Sequence, residues 1–124
     1  MTRLIALLAA LLLAMPAAAG EPQTMTQNEF RTLIEGNTIV GEWSGTPYRQ
    51  FFDEGARTTY QEKGKAETYG TWRITEDGKY CSVWPPNPQE ACYNVKRDED
   101  TLFWDAGGGK TYPSDVVPGK QMAW

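Results

Sequence analysis

The chain contains no histidine, which excludes Ser/His/Asp and Cys/His catalytic arrangements, histidine metal sites and an imidazole base. Its two cysteines, Cys81 and Cys92, form no C-x-x-C motif, so a redox pair or a zinc site lacks the ligands it needs. Lysine and arginine number 12 against 16 aspartates and glutamates, a formal charge of −4, and an acidic chain without a basic stripe is a poor partner for nucleic acid. Phosphate-binding motifs are missing too. Gly107-Gly108-Gly109 follows a strand-like run without opening a helix, so it reads as a hairpin tip, and no β-α-β pattern exists to hold a nucleotide cofactor. The carboxylates at Asp53-Glu54, Glu76-Asp77, Asp98-Glu99-Asp100 and Asp105 fall at turn positions, where solvation keeps them from acid–base work and leaves them turn and solubility roles. No catalytic, metal or cofactor site emerges, and the expected protein is not an enzyme.

Long apolar runs are also scarce. The one present, Leu4 to Met15, follows Arg3 and precedes Pro16-Ala17-Ala18-Ala19-Gly20. A basic start, a short apolar stretch and small residues make a secretory signal peptide over residues 1–19, cut near Ala19. The run falls short of the ~20 residues that cross a bilayer, so no stable membrane span is expected after cleavage. No cysteine stands at the cleavage point to carry a lipid. Residues 20–124 then form a single domain, periplasmic or secreted. A domain of this size buries only about 60–68% of its unfolded surface, so a covalent constraint would help it.

The two cysteines meet that need, because an exported chain matures in an oxidising compartment. A Cys81–Cys92 disulfide would close a loop through Val83-Trp84-Pro85-Pro86-Asn87-Pro88 and contribute up to roughly 3 kcal/mol by chain-entropy arithmetic.

Residues 20–25 read as a polar leader. Thr26 followed by Glu29 is a capping-box pattern, Phe30, Leu33 and Ile34 recur at helical spacing, and Gly36 supplies a left-handed stop, so one short helix is expected over 27–35. Beyond it the apolar residues switch to short aromatic and β-branched runs between turn residues. Strands are expected at Thr38–Ser44, Tyr48–Phe52, Arg57–Gln61, Thr68–Thr75, Lys79–Trp84, Ala91–Lys96, Thr101–Asp105 and Lys110–Val117. About eight strands at this spacing indicate a mainly β fold, a small antiparallel up-and-down barrel or a sandwich. Gly45-Thr46-Pro47 reads as the first hairpin turn and Asp77-Gly78 as a type I′ turn.

Period-two alternation places Ile39, Gly41 and Trp43 on one face, with Gly70, Trp72 and Ile74, and then Leu102 and Trp104, on the same interior. Glu42, Arg49 and Arg73 fall outside, with Glu42 and Arg49 placed to pair across the first hairpin.

Gly41-Glu42-Trp43, a Gly-x-Trp on the first strand after a short N-terminal helix and before an antiparallel meander, resembles the lipocalin-like barrels. That resemblance implies a barrel that binds small hydrophobic ligands at its mouth, with the tryptophan at the closed end. The sequence departs from the pattern in its shorter length and in having no arginine between Tyr112 and Val117 to lie across that tryptophan. A wider set, Gly70-Thr71-Trp72, Tyr80-Cys81-Ser82-Val83-Trp84, Cys92-Tyr93 and Leu102-Phe103-Trp104, resembles a group of short secreted bacterial β-proteins. This second likeness implies the fold and the disulfide, and no mechanism.

Five tryptophans are many for so small a domain. Trp43, Trp72 and Trp104 suit core packing, Trp124 lies at the last position where chains fray, and Trp84 stands in a Pro-rich loop that the disulfide would brace. A rigid loop loses little entropy on contact, which makes Trp84 a candidate ligand or partner contact, with Tyr48, Tyr93, Trp72 and Trp43 as further candidates. The leading expectation is a non-catalytic exported domain that binds a small apolar ligand or a partner through aromatic residues. The alternative is an interaction or inhibitor module acting on a cell-envelope protein, which would present a protruding loop instead of a pocket.

Overall fold

The structure is a computed structural model that describes residues 20–124, so the signal-peptide expectation for residues 1–19 lies outside the described residues. The helix α1, Gln27–Ile34, forms where the capping pattern placed it: the Glu29 amide donates to the Thr26 hydroxyl at 3.2 Å. Gly36 takes φ 78° and ends it, its amide donating to the Phe52 carbonyl at 2.7 Å. Phe30 and Ile34 are fully buried.

Ten strands make one antiparallel sheet: β1 Gln23–Thr24, β2 Thr38–Trp43, β3 Thr46–Phe52, β4 Arg57–Glu62, β5 Thr68–Ile74, β6 Tyr80–Val83, β7 Ala91–Tyr93, β8 Val95–Asp98, β9 Thr101–Asp105 and β10 Thr111–Val117. The mainly β meander with one short helix is therefore present. Two of the ten strands go beyond the sequence reading. The expected strand Ala91–Lys96 divides at Asn94, since β7 pairs with β6 while β8 pairs with β9. Because β10 pairs with β2, the sheet curls round until its two ends share this one length of chain, which gives a barrel-like shape. The hand-over leaves one edge of β8 unpaired, and β1 fills it with Gln23 opposite Arg97 and Thr24 opposite Lys96. The residues 20–25 read as a leader thus contribute an edge strand, which capping such an edge favours.

Two turns correct the sequence reading. The first hairpin turns at Ser44-Gly45, φ 48° and 83°, one step before the expected Gly45-Thr46-Pro47. A two-residue type I′ turn needs two left-handed residues, and the fixed ring of proline cannot supply one. The register follows: Glu42 faces Pro47 and Arg49 faces Val40, so the expected Glu42–Arg49 pair does not form. Arg49 instead donates from Nη1 to the Gln121 carbonyl at 2.8 Å, with its guanidinium 5.1 Å from the ring centre of Trp124. Trp124, expected to fray, is thereby held against the sheet. At the second turn only Gly78 is left-handed (φ 84°). The Gly78 amide donates to the Thr75 carbonyl at 3.0 Å and the Thr75 amide to the Lys79 carbonyl at 2.9 Å, so three residues, not Asp77-Gly78 alone, make this hairpin.

Inside the sheet Phe30 and Ile34 of α1 join Ile39, Phe52, Trp72, Ile74, Val95 and Leu102 in one buried cluster. Phe30 stacks on Tyr80 and meets Trp104 edge-on, both at 6.3 Å, so these two rings floor the interior above the helix. At Gly41 the strands β2 and β10 approach so closely that a Cβ would lie 2.8 Å from the Pro113 carbonyl oxygen and 3.0 Å from Ser114 Cβ. Both obstacles are held in the sheet, so Gly41→Ala is expected to cost about 1–3 kcal/mol, read as a lower urea midpoint.

Candidate ligand-binding cleft

Beyond Tyr80 and Trp104 the curled sheet holds a cleft of about 410 Å³, lined by Trp43, Tyr48, Gln50, Tyr60, Thr68, Tyr69, Tyr80, Ser82, Trp84, Pro85, Ala91, Tyr93 and Trp104. Strand alternation builds the walls on β3 and β6. Tyr48 and Gln50 share the inner face of β3 with Phe52, and Tyr80 and Ser82 share that of β6.

Trp84 continues the inner face one residue past β6. A Cβ on Gly70 would lie 2.8 Å from its ring, so glycine at that position is what lets the indole lie against β5. The Trp84 indole N–H donates to Ser82 Oγ at 3.0 Å, and the ring meets Tyr60 edge-on at 5.9 Å. On the facing side Trp43 meets Tyr93 edge-on at 5.8 Å, and the Tyr112 ring lies 4.6 Å from Trp43. Trp43 is therefore part of the cleft wall.

The loop that carries Trp84 is held at both ends. The Cys81–Cys92 disulfide joins β6 to β7, as the cysteine count led one to expect. Arg73 clasps Glu90 with two bonds, Nε to Oε2 at 2.8 Å and Nη2 to Oε1 at 2.6 Å. With the thiols joined, the group formed by Cys81, Glu90 and Cys92 has no free sulfur to offer a metal.

Four of the five candidate contacts, Trp84, Tyr48, Tyr93 and Trp43, line this cleft together. The fifth, Trp72, does not reach it: the ring is buried at the helix end, its N–H donates to the carbonyls of Asp53 and Arg57 at 3.2 and 3.0 Å, and Arg31 lies over it. Sequence reasoning passed over Gln50, Tyr60, Tyr69, Tyr80 and Ser82 and assigned Trp104 to packing alone. The signal for Gln50 was available in the alternation Tyr48, Gln50, Phe52.

The lining carries no lysine, arginine, aspartate or glutamate. Its polarity comes from amide and hydroxyl groups: Gln50 Nε2 donates to Thr58 Oγ1 at 3.0 Å and to the Tyr80 hydroxyl at 3.2 Å, and Trp104 donates to Ser114 Oγ at 2.8 Å. Burial pushes the Tyr48 phenol up to about 12, partly offset by the Ser114 hydroxyl. Burial also pushes Tyr60 up to about 12, and the carboxylate of Glu62 adds to the shift. Tyr80 is raised as well, again by burial first. None of the three supplies a phenolate near neutral pH.

The raised values set a pH dependence. An unfolded tyrosine loses its proton near pH 10 while Tyr48 and Tyr60 keep theirs to about pH 12, so their contribution is fully present below pH 10 and is lost as pH rises through that window. Phenolate absorbance should accordingly show late-titrating tyrosines, with stability falling above pH 10. Normal titration of every tyrosine in the folded protein would contradict this environment.

No protein-family model, no curated protein and no solved structure matches the chain.

Proposed function

We propose that this protein is a small exported binding domain, without catalytic activity, that takes a small apolar ligand into the aromatic cleft. The observation that carries the reading is the cleft itself: an uncharged space of about 410 Å³, walled mainly by tryptophan and tyrosine. Concave, mostly apolar sites with a few convergent polar groups are where proteins hold small molecules. The braced Trp84 loop forms part of the cleft wall, which favours a ligand over the protruding inhibitor loop of the alternative.

Export, to the periplasm or beyond the cell, is supported by the signal-like residues 1–19 and by the disulfide, a bond that persists in oxidising compartments. No helix among the described residues is long and apolar enough to cross a membrane. The resemblance of Gly41-Glu42-Trp43 to lipocalin-like barrels agrees with a ligand in the mouth of a curled sheet, although Trp43 here faces the ligand space.

Tryptophan emission of the oxidised protein, titrated with an apolar probe dye, tests the reading. Saturable binding with a shift in emission is the expected result, weakened in Trp84→Phe. A dye that binds without saturation, or an unchanged response in Trp84→Phe, would remove the cleft from consideration.

A further inference from the structure

The walls of the cleft say more about the ligand than that it is apolar. The branched aliphatic side chains of the core, Ile34, Ile39, Ile74, Val95 and Leu102, are buried in the cluster beneath the cleft, and none lines the cleft itself. A site for an acyl chain is ordinarily walled with such groups. Here the walls are π-faces and hydroxyls.

Charge points the same way. A fatty-acid carboxylate entering this space would meet no cationic partner, and burying an unpaired charge of that kind is costly. The chain is acidic overall, with formal charge −4, which repels anions and draws cations over distance. Elsewhere the protein covers its own rings with its own cations: Arg31 lies over Trp72, Arg49 over Trp124 and Lys120 over Phe51, at 5.6, 5.1 and 5.5 Å. Among the described residues no cation is so placed over Trp43, Tyr60, Trp84 or Tyr93.

Resting on the binding reading above, we propose that the cleft selects an organic cation of the quaternary ammonium type. Its methyl groups present the apolar surface that the walls accept, while its diffuse charge meets the negative faces of Trp43, Tyr60, Trp84 and Tyr93. The phenols of Tyr48, Tyr60 and Tyr80 are held in the neutral form by burial, so recognition runs through ring faces and needs no carboxylate. The recognised group is the trimethylammonium unit, whether a free small molecule or a lipid headgroup carries it.

The test uses the whole oxidised protein and three probes: choline, its uncharged carbon isostere 3,3-dimethylbutan-1-ol, and octanoate, each competed against the apolar dye. Shape is shared by the first two, so their ratio isolates the charge. Choline should bind at least about tenfold tighter than the isostere, octanoate should not compete, and Trp84→Leu should reduce choline affinity more than isostere affinity. Retention on phosphatidylcholine vesicles alongside choline binding would support the same group carried by a lipid. Equal or tighter binding of the isostere, competition by octanoate, or dye binding that choline does not displace would overturn the cation proposal and leave the binding reading standing. If the dye also fails to bind, both fall together.

Discussion

Replacing Phe30 by alanine is expected to destabilise the protein by about 3–5 kcal/mol. The side chain is fully buried and is the only aromatic residue of α1. It stacks on Tyr80 and meets Trp104, the two rings that floor the cleft. Those neighbours belong to strands paired on both sides, so they cannot collapse into the space left behind. The loss then combines apolar transfer with an unfilled cavity, and Ile34 and the half-buried Leu33 are left as the apolar contacts of the helix. Urea denaturation should show a lower midpoint at unchanged slope. A loss below about 1 kcal/mol would mean that α1 does not close this end of the sheet.

Removing the disulfide is the second large effect. Cys81 and Cys92 are 11 residues apart, and opening a loop of that size is worth about 3 kcal/mol through the unfolded chain. Reduction has a local consequence as well. Strand β7 is held to β6 by three residue pairs only, Tyr80–Tyr93, Cys81–Cys92 and Ser82–Ala91. The middle pair is the covalent one. Without it the Arg73–Glu90 clasp is the ion pair left beside β7, and an exposed ion pair adds at most about 1 kcal/mol. The double variant Cys81→Ala/Cys92→Ala should therefore lose about 2–4 kcal/mol and show faster amide exchange in β7 than in β3. Alanine is the right replacement at Cys81, because serine would leave a hydroxyl in a site with no exposure. Equal exchange in the two strands would show that the bond does not fasten this edge.

Alternation made much of the fold legible. Ile39, Trp72, Ile74, Leu102 and Trp104 are buried on the interior face, and the capping pair Thr26 and Glu29 set the start of α1. Long-range register was less accessible. The division of the closing strand at Asn94 depends on which neighbour each half meets, and no local pattern records that. Nor does any pattern announce β1, whose exposed Gln23 and Thr24 pair through their backbones alone. The hairpin at Ser44-Gly45 lies one step earlier than the proline-marked turn at Gly45-Thr46-Pro47, and that single step displaces Arg49 from Glu42. At the cleft, aromatic content pointed to Trp43, Tyr48, Trp84 and Tyr93. Trp72 looked equivalent because sequence assigns it an inner face without saying which end of the sheet it occupies, and Gln50 was passed over because a polar residue in a strand ordinarily faces water.

The five indole N–H groups of this protein provide the most direct measurement. Trp43, Trp84 and Trp104 line the cleft, whereas Trp72 is buried at the helix end and Trp124 lies outside under Arg49. In a proton–nitrogen NMR titration of the oxidised protein with the apolar probe, the indole signals of Trp43, Trp84 and Trp104 should shift along one saturable curve while those of Trp72 and Trp124 hold still. Shifts confined to Trp72 or Trp124, or the absence of any shift in the three cleft indoles, would contradict the account.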